Sequence, residues 1–398
     1  MTSLLDQVPL APRDPIIGVT EAYNGDDRAD KVNLGVGIYY DENGKVPLLQ
    51  CVRRAEQALA AEPAPRGYLP IDGIPAYQQA VQTLVFGDAA ALRDGRTVTV
   101  QALGGTGALR IAADFLHRFH GDAGVWISDP SWENHRALFE AAGFTVSTYP
   151  YYDPATRGVR FDAMLETLDG LPAGSVVVLH ACCHNPTGVD LEPAQWDRVL
   201  ETVVARGLVP ILDLAYQGFA AGLEPDAAVV RRFAERYAPV FVANSFSKNF
   251  SLYGERVGAL SLVAGDAEQA QRALSQLKRV VRSNYSSPPT HGASLVAKVL
   301  TTPELRTLWE QELTAMRERV QDLRRQLVQR MEAHTQGLDA SYIARQNGMF
   351  SYSGLTREAV AKLREAHGIY AVDSGRICVA ALNARNLDNV ATAVAELL

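Results

Sequence analysis

The chain has 398 residues, 47% hydrophobic and 21% charged, an ordinary balance for a globular protein long enough to bury its own core. Its 38 basic and 45 acidic residues leave a formal charge of −7, without the basic excess that nucleic-acid or membrane-surface binding calls for. The four cysteines, Cys51, Cys182, Cys183 and Cys378, form no pair of C-x-x-C knuckles, which points to reduced thiols in an intracellular, cytoplasmic setting.

Residues 1–13 read as a short arm carrying two prolines, with no basic stretch followed by an apolar one, so no secretory signal is expected. No run of about eighteen apolar residues marks a transmembrane helix. The middle of the chain alternates β-rich and helical runs. Strands are predicted at 97–100, 125–128, 175–180, 209–214, 240–243 and 259–263, with a helix over 108–119 after Gly104-Gly105-Thr106-Gly107. Apolar strands separated by helices predict a mostly parallel α/β sheet covered on both faces. Residues 305–331 predict a long charged helix with Leu313, Met316, Val320, Leu323 and Leu327 at helical spacing. A short β run at 349–352, a helix at 357–367 and a strand at 376–380 then read as a smaller α+β domain joined to the sheet through that helix.

Reactive side chains recur where the predicted strands end, which is where open α/β sheets bind ligands. Gly104-Gly105-Thr106-Gly107 ahead of a helix offers free N–H groups and a positive dipole end to an anion such as a phosphate. It lacks both the Walker ending and the dinucleotide spacing, which disfavours a nucleotide. Lys248 follows a strand within Ser245-Phe246-Ser247-Lys248. A lysine is ordinarily a solvated surface charge, but desolvation and cationic neighbours would make this amine nucleophilic. Ser245, Ser247 and Arg256 suit a dianionic phosphate. Asp213 leaves an apolar strand and needs a cationic or hydrogen-bonding partner unless it caps the next helix; a pyridinium nitrogen is one such partner. The run Cys182-Cys183-His184 lacks a distant second pair and makes a poor metal cage, so no metal is expected. Asn185, before Pro186, can aim its amide at a ring hydroxyl, and Trp132, after a strand end, can stack on a flat ligand.

Together these segments resemble the class I aminotransferases, in the branch of the aspartate and aromatic-amino-acid enzymes. The likeness also runs through Asn33-Leu34-Gly35-Val36-Gly37, His184-Asn185-Pro186-Thr187-Gly188, Arg282-Ser283-Asn284-Tyr285-Ser286 and Ser374-Gly375-Arg376. It implies the fold type I of pyridoxal-phosphate-dependent transferases, α/β, with a large domain over 47–314 built on a seven-stranded, mostly parallel sheet. A small α+β domain would comprise 14–46 and 315–398. It implies pyridoxal 5'-phosphate held by Lys248 as a Schiff base, with the same amine later moving a proton at the substrate α-carbon. Asp213 would pair with the ring nitrogen with His135 behind it. Tyr216 and Asn185 would bond the phenolic oxygen, and Trp132 would stack on the ring. Gly105, Thr106, Ser245, Ser247 and Arg256 would bind the phosphate, joined by Tyr68 of the other subunit of a homodimer. Arg376, with Asn185 and the backbone at Gly37, would hold the α-carboxylate of the amino-acid or 2-oxo-acid substrate. Arg282 of the partner would meet a second carboxylate.

Within that branch, Tyr40 at the third place after Gly37, apolar Val46 and Ser287 after Ser286 tilt the reading toward aromatic substrates. Aspartate aminotransfer with little aromatic activity is the alternative. A lyase or decarboxylase on the same fold is disfavoured by Arg282, and a non-catalytic relative by the presence of Lys248.

Overall fold

The computed structural model describes residues 3–11, 16–65 and 67–398. The predicted end of the arm at 13 and the start of the small domain at 14 therefore lie outside the described residues. Seven strands form the central sheet: β1 Thr97–Leu103, β2 Val125–Asp129, β3 Val146–Pro150, β4 Val176–His180, β5 Val209–Leu214, β6 Val240–Ser245 and β7 Val257–Val263. Their order is β1-β7-β6-β5-β4-β2-β3. Only β7 runs antiparallel to its neighbours. The sequence reading found six of these strands. It missed β3, an edge strand whose apolar run is broken by Ser147 and Thr148 and which ends in Pro150.

The strands are β-rich because both faces are covered. In β5, Ile211 faces one core while Leu212 and Leu214 face the other; in β6, Phe241 and Ala243 alternate with Val240 and Val242 in the same way. One face packs on the helices Gly104–His120, Glu133–Ala141 and Ala267–Asn284. The other packs on a larger apolar mass that runs through the long helix Pro303–His334 to the C-terminal elements. In that helix Leu313, Met316, Val320, Leu323, Leu327 and Met331 are buried on one stripe, as their spacing predicts.

Three short strand pairs lie beyond the sheet among the described residues, one of them Tyr152–Asp153 antiparallel to Gly158–Val159. Val32–Asn33 runs parallel to Ile369–Tyr370, and Phe350–Tyr352 runs antiparallel to Arg376–Cys378. The strand expected over 376–380 stops at Cys378, and Val379–Ala381 turns into a 3-10 helix. The helix expected from 108 starts at Gly104, so the glycine run is its first turn rather than a loop before it. All four cysteines are buried and unpaired. Among the described residues no helix is long and apolar enough to cross a membrane.

The sheet and the glycine turn touch through backbone. Gly258 of β7 lies opposite Ala102 of β1 and Ser245 of β6. A Cβ there would sit 2.5 Å from the carbonyl carbon of Gly104 and 2.7 Å from the Asn244 oxygen, which no side-chain movement can relieve. Gly258→Ala should therefore destabilise the fold by about 1–3 kcal/mol, the usual range for overpacking. Chemical denaturation of the purified variant measures it.

Candidate active site

The carboxyl ends of the parallel strands and the amino end of β7 share one edge of the sheet. There a cavity of about 270 Å³ opens. Of the sequence-predicted site residues, Gly37, Gly105, Thr106, Trp132, Asn185, Asp213, Tyr216, Ser245, Ser247, Lys248, Arg256 and Arg376 line it.

One end of the cavity is built for an anion. Gly105 and Thr106 sit in the first turn of a 17-residue helix, where backbone N–H groups lack intrahelical partners. Gly104 has φ 69°, and a Cβ on it would lie 2.5 Å from the Arg256 guanidinium, so glycine is needed for the arginine to reach this turn. Arg256, itself at φ 54°, is braced by Nη1 donating to the Tyr253 carbonyl at 3.0 Å. The Ser245 and Ser247 hydroxyls lie 3.1 Å apart beside it.

Asp213 stands at the centre. His135 Nε2 lies 3.0 Å from Oδ2, while Oδ1 is buried with no partner within the chain. An ionised carboxylate only accepts, so His135 carries its proton on Nε2, and the Ser131 hydroxyl meets Nδ1 at 2.9 Å. Burial pushes Asp213 upward, but the hydrogen bond from His135 and the neighbouring positive charges outweigh it and hold the carboxyl below its ordinary range. Oδ1 is thus an anionic acceptor that a protonated ring nitrogen would satisfy. Asp213, His135 and His180 place donor atoms within 4.8 Å of one another. His135 spends both nitrogens on Asp213 and Ser131, which leaves too few free ligands to close a metal site.

Lys248 faces this carboxylate from the turn after β6, its Nζ 4.7 Å from the Tyr216 ring centroid. Burial, opposed by Asp213 and aided by Arg256 and Arg376, brings the amine down to about 8. Burial also raises the Tyr216 phenol, which therefore stays protonated and able to donate. Across the cavity Arg376 is 1% exposed. Its two terminal nitrogens donate to Asn185 Oδ1 at 3.1 Å and the Gly35 carbonyl at 2.7 Å, and its Nε is buried with no partner. A buried guanidinium held by neutral acceptors is poised for a carboxylate.

His135 lies behind Asp213 rather than on the cavity surface. Tyr68 is 98% exposed, and Arg282 projects from the last turn of Ala267–Asn284 against the Ser286 hydroxyl; neither reaches the cavity of its own chain. Nor do Tyr40, Val46 or Ser287 line it. The predicted site residues did not include Ile16, Leu109, His180, Ala215, Tyr253 or Phe350, which also line it. Tyr253 lies in the chain between Lys248 and Arg256, and its position there was a usable signal. Phe350, whose ring packs 4.3 Å from the Arg376 guanidinium, arrives only through the pairing of its strand with Arg376–Cys378.

A lysine, an ionised acid with one free oxygen, an anion cradle and a buried arginine around one cavity define the site of an amine-handling, phosphate-cofactor enzyme. Residues 29–394 match the family model of the class I and II aminotransferases, and the chain belongs to that family. It is 59% identical to an aspartate aminotransferase of Pseudomonas aeruginosa, covering 100% of both chains. It is 51% identical to an aromatic-amino-acid aminotransferase of Escherichia coli, covering 97% of this chain and 98% of the other. The crystal structure of an aromatic-amino-acid aminotransferase from Burkholderia pseudomallei, covalently bound to pyridoxal phosphate, superposes with a TM-score of 0.98 at 61% identity over 100% of both chains. The fold is that of the type I enzymes.

In cofactor-free protein, the reaction of Lys248 with an added aldehyde should rise from pH 6 and level off with a midpoint of about 8, against 10.5 for an ordinary lysine. Mass-spectrometric counting of the adduct after reduction, across pH, checks this; a midpoint near 10.5 would show that the pocket does not tune the amine.

Proposed function

We propose that the protein transfers the amino group of tyrosine and phenylalanine, and also of aspartate, to 2-oxoglutarate, with pyridoxal 5'-phosphate as cofactor. When bound, that group supplies an aldehyde for amines and a ring that accepts electrons from the α-carbon. The residues present fit it: the cradle of Gly105, Thr106, Ser245, Ser247 and Arg256 takes the phosphate, and the free oxygen of Asp213 takes the ring nitrogen. His135 keeps Asp213 ionised and oriented. Trp132 covers one ring face, and Tyr216 and Asn185 donate toward the phenolic oxygen. Lys248 would hold the cofactor through its amine, and the same amine, when free, would carry the proton at the α-carbon. Arg376, steadied by Asn185, grips the α-carboxylate.

The observation that carries the aromatic preference is the cavity wall. Within one chain Ile16, Leu109, Trp132 and Phe350 give apolar lining beside a single carboxylate-binding arginine, Arg376. Such a wall spares an aromatic ring the desolvation of facing polar groups. Relatives at similar identity carry both the aspartate and the aromatic names, and aspartate aminotransfer with little aromatic activity is the second reading. We assign 47–314 to the unit that holds the cofactor and 14–46 with 315–398 to the small unit that brings Arg376. The exposed Tyr68 and Arg282 are assigned to the site of a second copy in a homodimer, Tyr68 at the phosphate and Arg282 at the distal carboxylate of dicarboxylic substrates.

Steady-state rates with tyrosine, phenylalanine and aspartate against 2-oxoglutarate test the reading, and all three should turn over. Aspartate-only turnover would remove the aromatic assignment. Lys248→Ala should lower kcat by roughly 10⁴-fold or more, as expected for loss of both the covalent attachment and the proton carrier.

A further inference from the structure

Gln101 lies in β1, the edge strand of the sheet, and is 2% exposed. An edge strand leaves outward N–H and C=O groups that something must cover. Here every polar group of one residue does this for two separate segments. The Gln101 N–H donates to the Asp72 carbonyl at 2.8 Å, and its Oε1 accepts from the Ile74 N–H at 3.3 Å. Its carbonyl accepts from the Tyr285 hydroxyl at 3.0 Å, and its Nε2 donates to the Pro289 carbonyl at 2.7 Å.

The first two bonds hold the turn Pro70–Gly73, closed by the Gly73 N–H on the Pro70 carbonyl at 2.9 Å. Gly73 has φ 105°, and a Cβ on it would fall 2.4 Å from the Gln101 Cβ, so the turn rests directly on this side chain. Tyr68 sits two residues before the turn. The second two bonds hold the chain just after Ala267–Asn284, where Ser286 has φ 72°. Arg282 sits in that helix's last turn. A Lys278–Asp72 ion pair at 3.0 Å ties the two segments to each other.

We infer that Gln101 is a positioning residue that fixes, from one point on β1, both segments this chain lends to a second copy's active site. The inference rests on the reading that Tyr68 and Arg282 serve that second copy. It adds that one side-chain amide, through Oε1 to Ile74 and Nε2 to Pro289, couples the two segments beside the backbone bonds and the ion pair, so they are delivered as a pair. A residue that acts this way affects the neighbour's site and spares its own, although β1 runs on within three residues to the Gly104 turn of its own site.

Half-reactions of cofactor-loaded dimers with aspartate and with tyrosine test this in wild type, Q101L, R282A and a hybrid of one Q101L chain with one K248A chain. Q101L should lower kcat/KM for aspartate about tenfold or more and for tyrosine distinctly less, as a misplaced Arg282 costs only the dicarboxylate while a misplaced Tyr68 costs both substrates. R282A should show the same selectivity. In the hybrid, the one working Lys248 belongs to the Q101L chain and receives Arg282 from a chain with intact Gln101. Its aspartate kcat/KM per working site should return to within about twofold of wild type. Equal losses on both substrates that persist in the hybrid would place the effect in the chain's own pocket and overturn the inference, as would a wild-type Q101L. If Q101L fails to fold, Y285F removes only the hydroxyl that donates to the Gln101 carbonyl, and it should reproduce the selective loss on aspartate. An R282A enzyme unchanged on aspartate would instead sink the shared-site reading, and the inference with it.

Discussion

Asp213 must remain ionised inside the protein with one oxygen left ungripped. Burial of a lone carboxylate in a parallel sheet would drive it to the neutral acid. The structure prevents this with a directed bond, His135 Nε2 to Oδ2, itself oriented by Ser131, together with the neighbouring positive charge. Strand β5 sets the height of the carboxylate, since Asp213 pairs in register with His180 of β4 and Ala243 of β6. Everything else in the cavity is arranged relative to that free oxygen: the amine of Lys248 on one side, the anion cradle at one end and Arg376 opposite. Remove the bond from His135, and the charge that would keep a ring nitrogen protonated loses support.

Much of this was legible in the sequence because strand ends are legible. A run such as Val209 to Leu214 is apolar on both faces, so the first charged residue within it, Asp213, stands out. Ser245, Ser247, Lys248 and Arg256 are close in sequence, and the glycine run announced an anion site with no knowledge of topology. What sequence could not give was proximity across folds of the chain. Phe350 reaches the cavity only because Phe350–Tyr352 pairs with Arg376–Cys378, and Leu109 only because the helix starting at Gly104 presents that face inward. Edge strand β3 carries no continuous apolar run, and its identity depends on the partner it pairs with.

The positions that suggested an aromatic preference fared differently. Tyr40, Val46 and Ser287 lie away from the cavity of their own chain, with Val46 45% exposed. Their bearing on selectivity is therefore indirect or exerted on another copy. The apolar residues that do border the cavity, Ile16, Leu109 and Phe350, were invisible to motif reading because isolated aliphatic and aromatic residues are expected in any core.

The reversed direction of β7 bears on how the site tolerates change. Parallel neighbours need a crossover of a dozen or more residues, usually carrying a helix. Because β7 returns antiparallel to β6, residues 246–256 suffice, and the chain leaves and re-enters the sheet at the same edge. The reactive amine and the arginine that would anchor the phosphate thus belong to a single short loop clamped at both ends by adjacent strands. Lengthening that loop would leave the sheet intact yet let nucleophile and anchor drift apart, so the loop's length should be far less free to vary than is usual for a connection between strands.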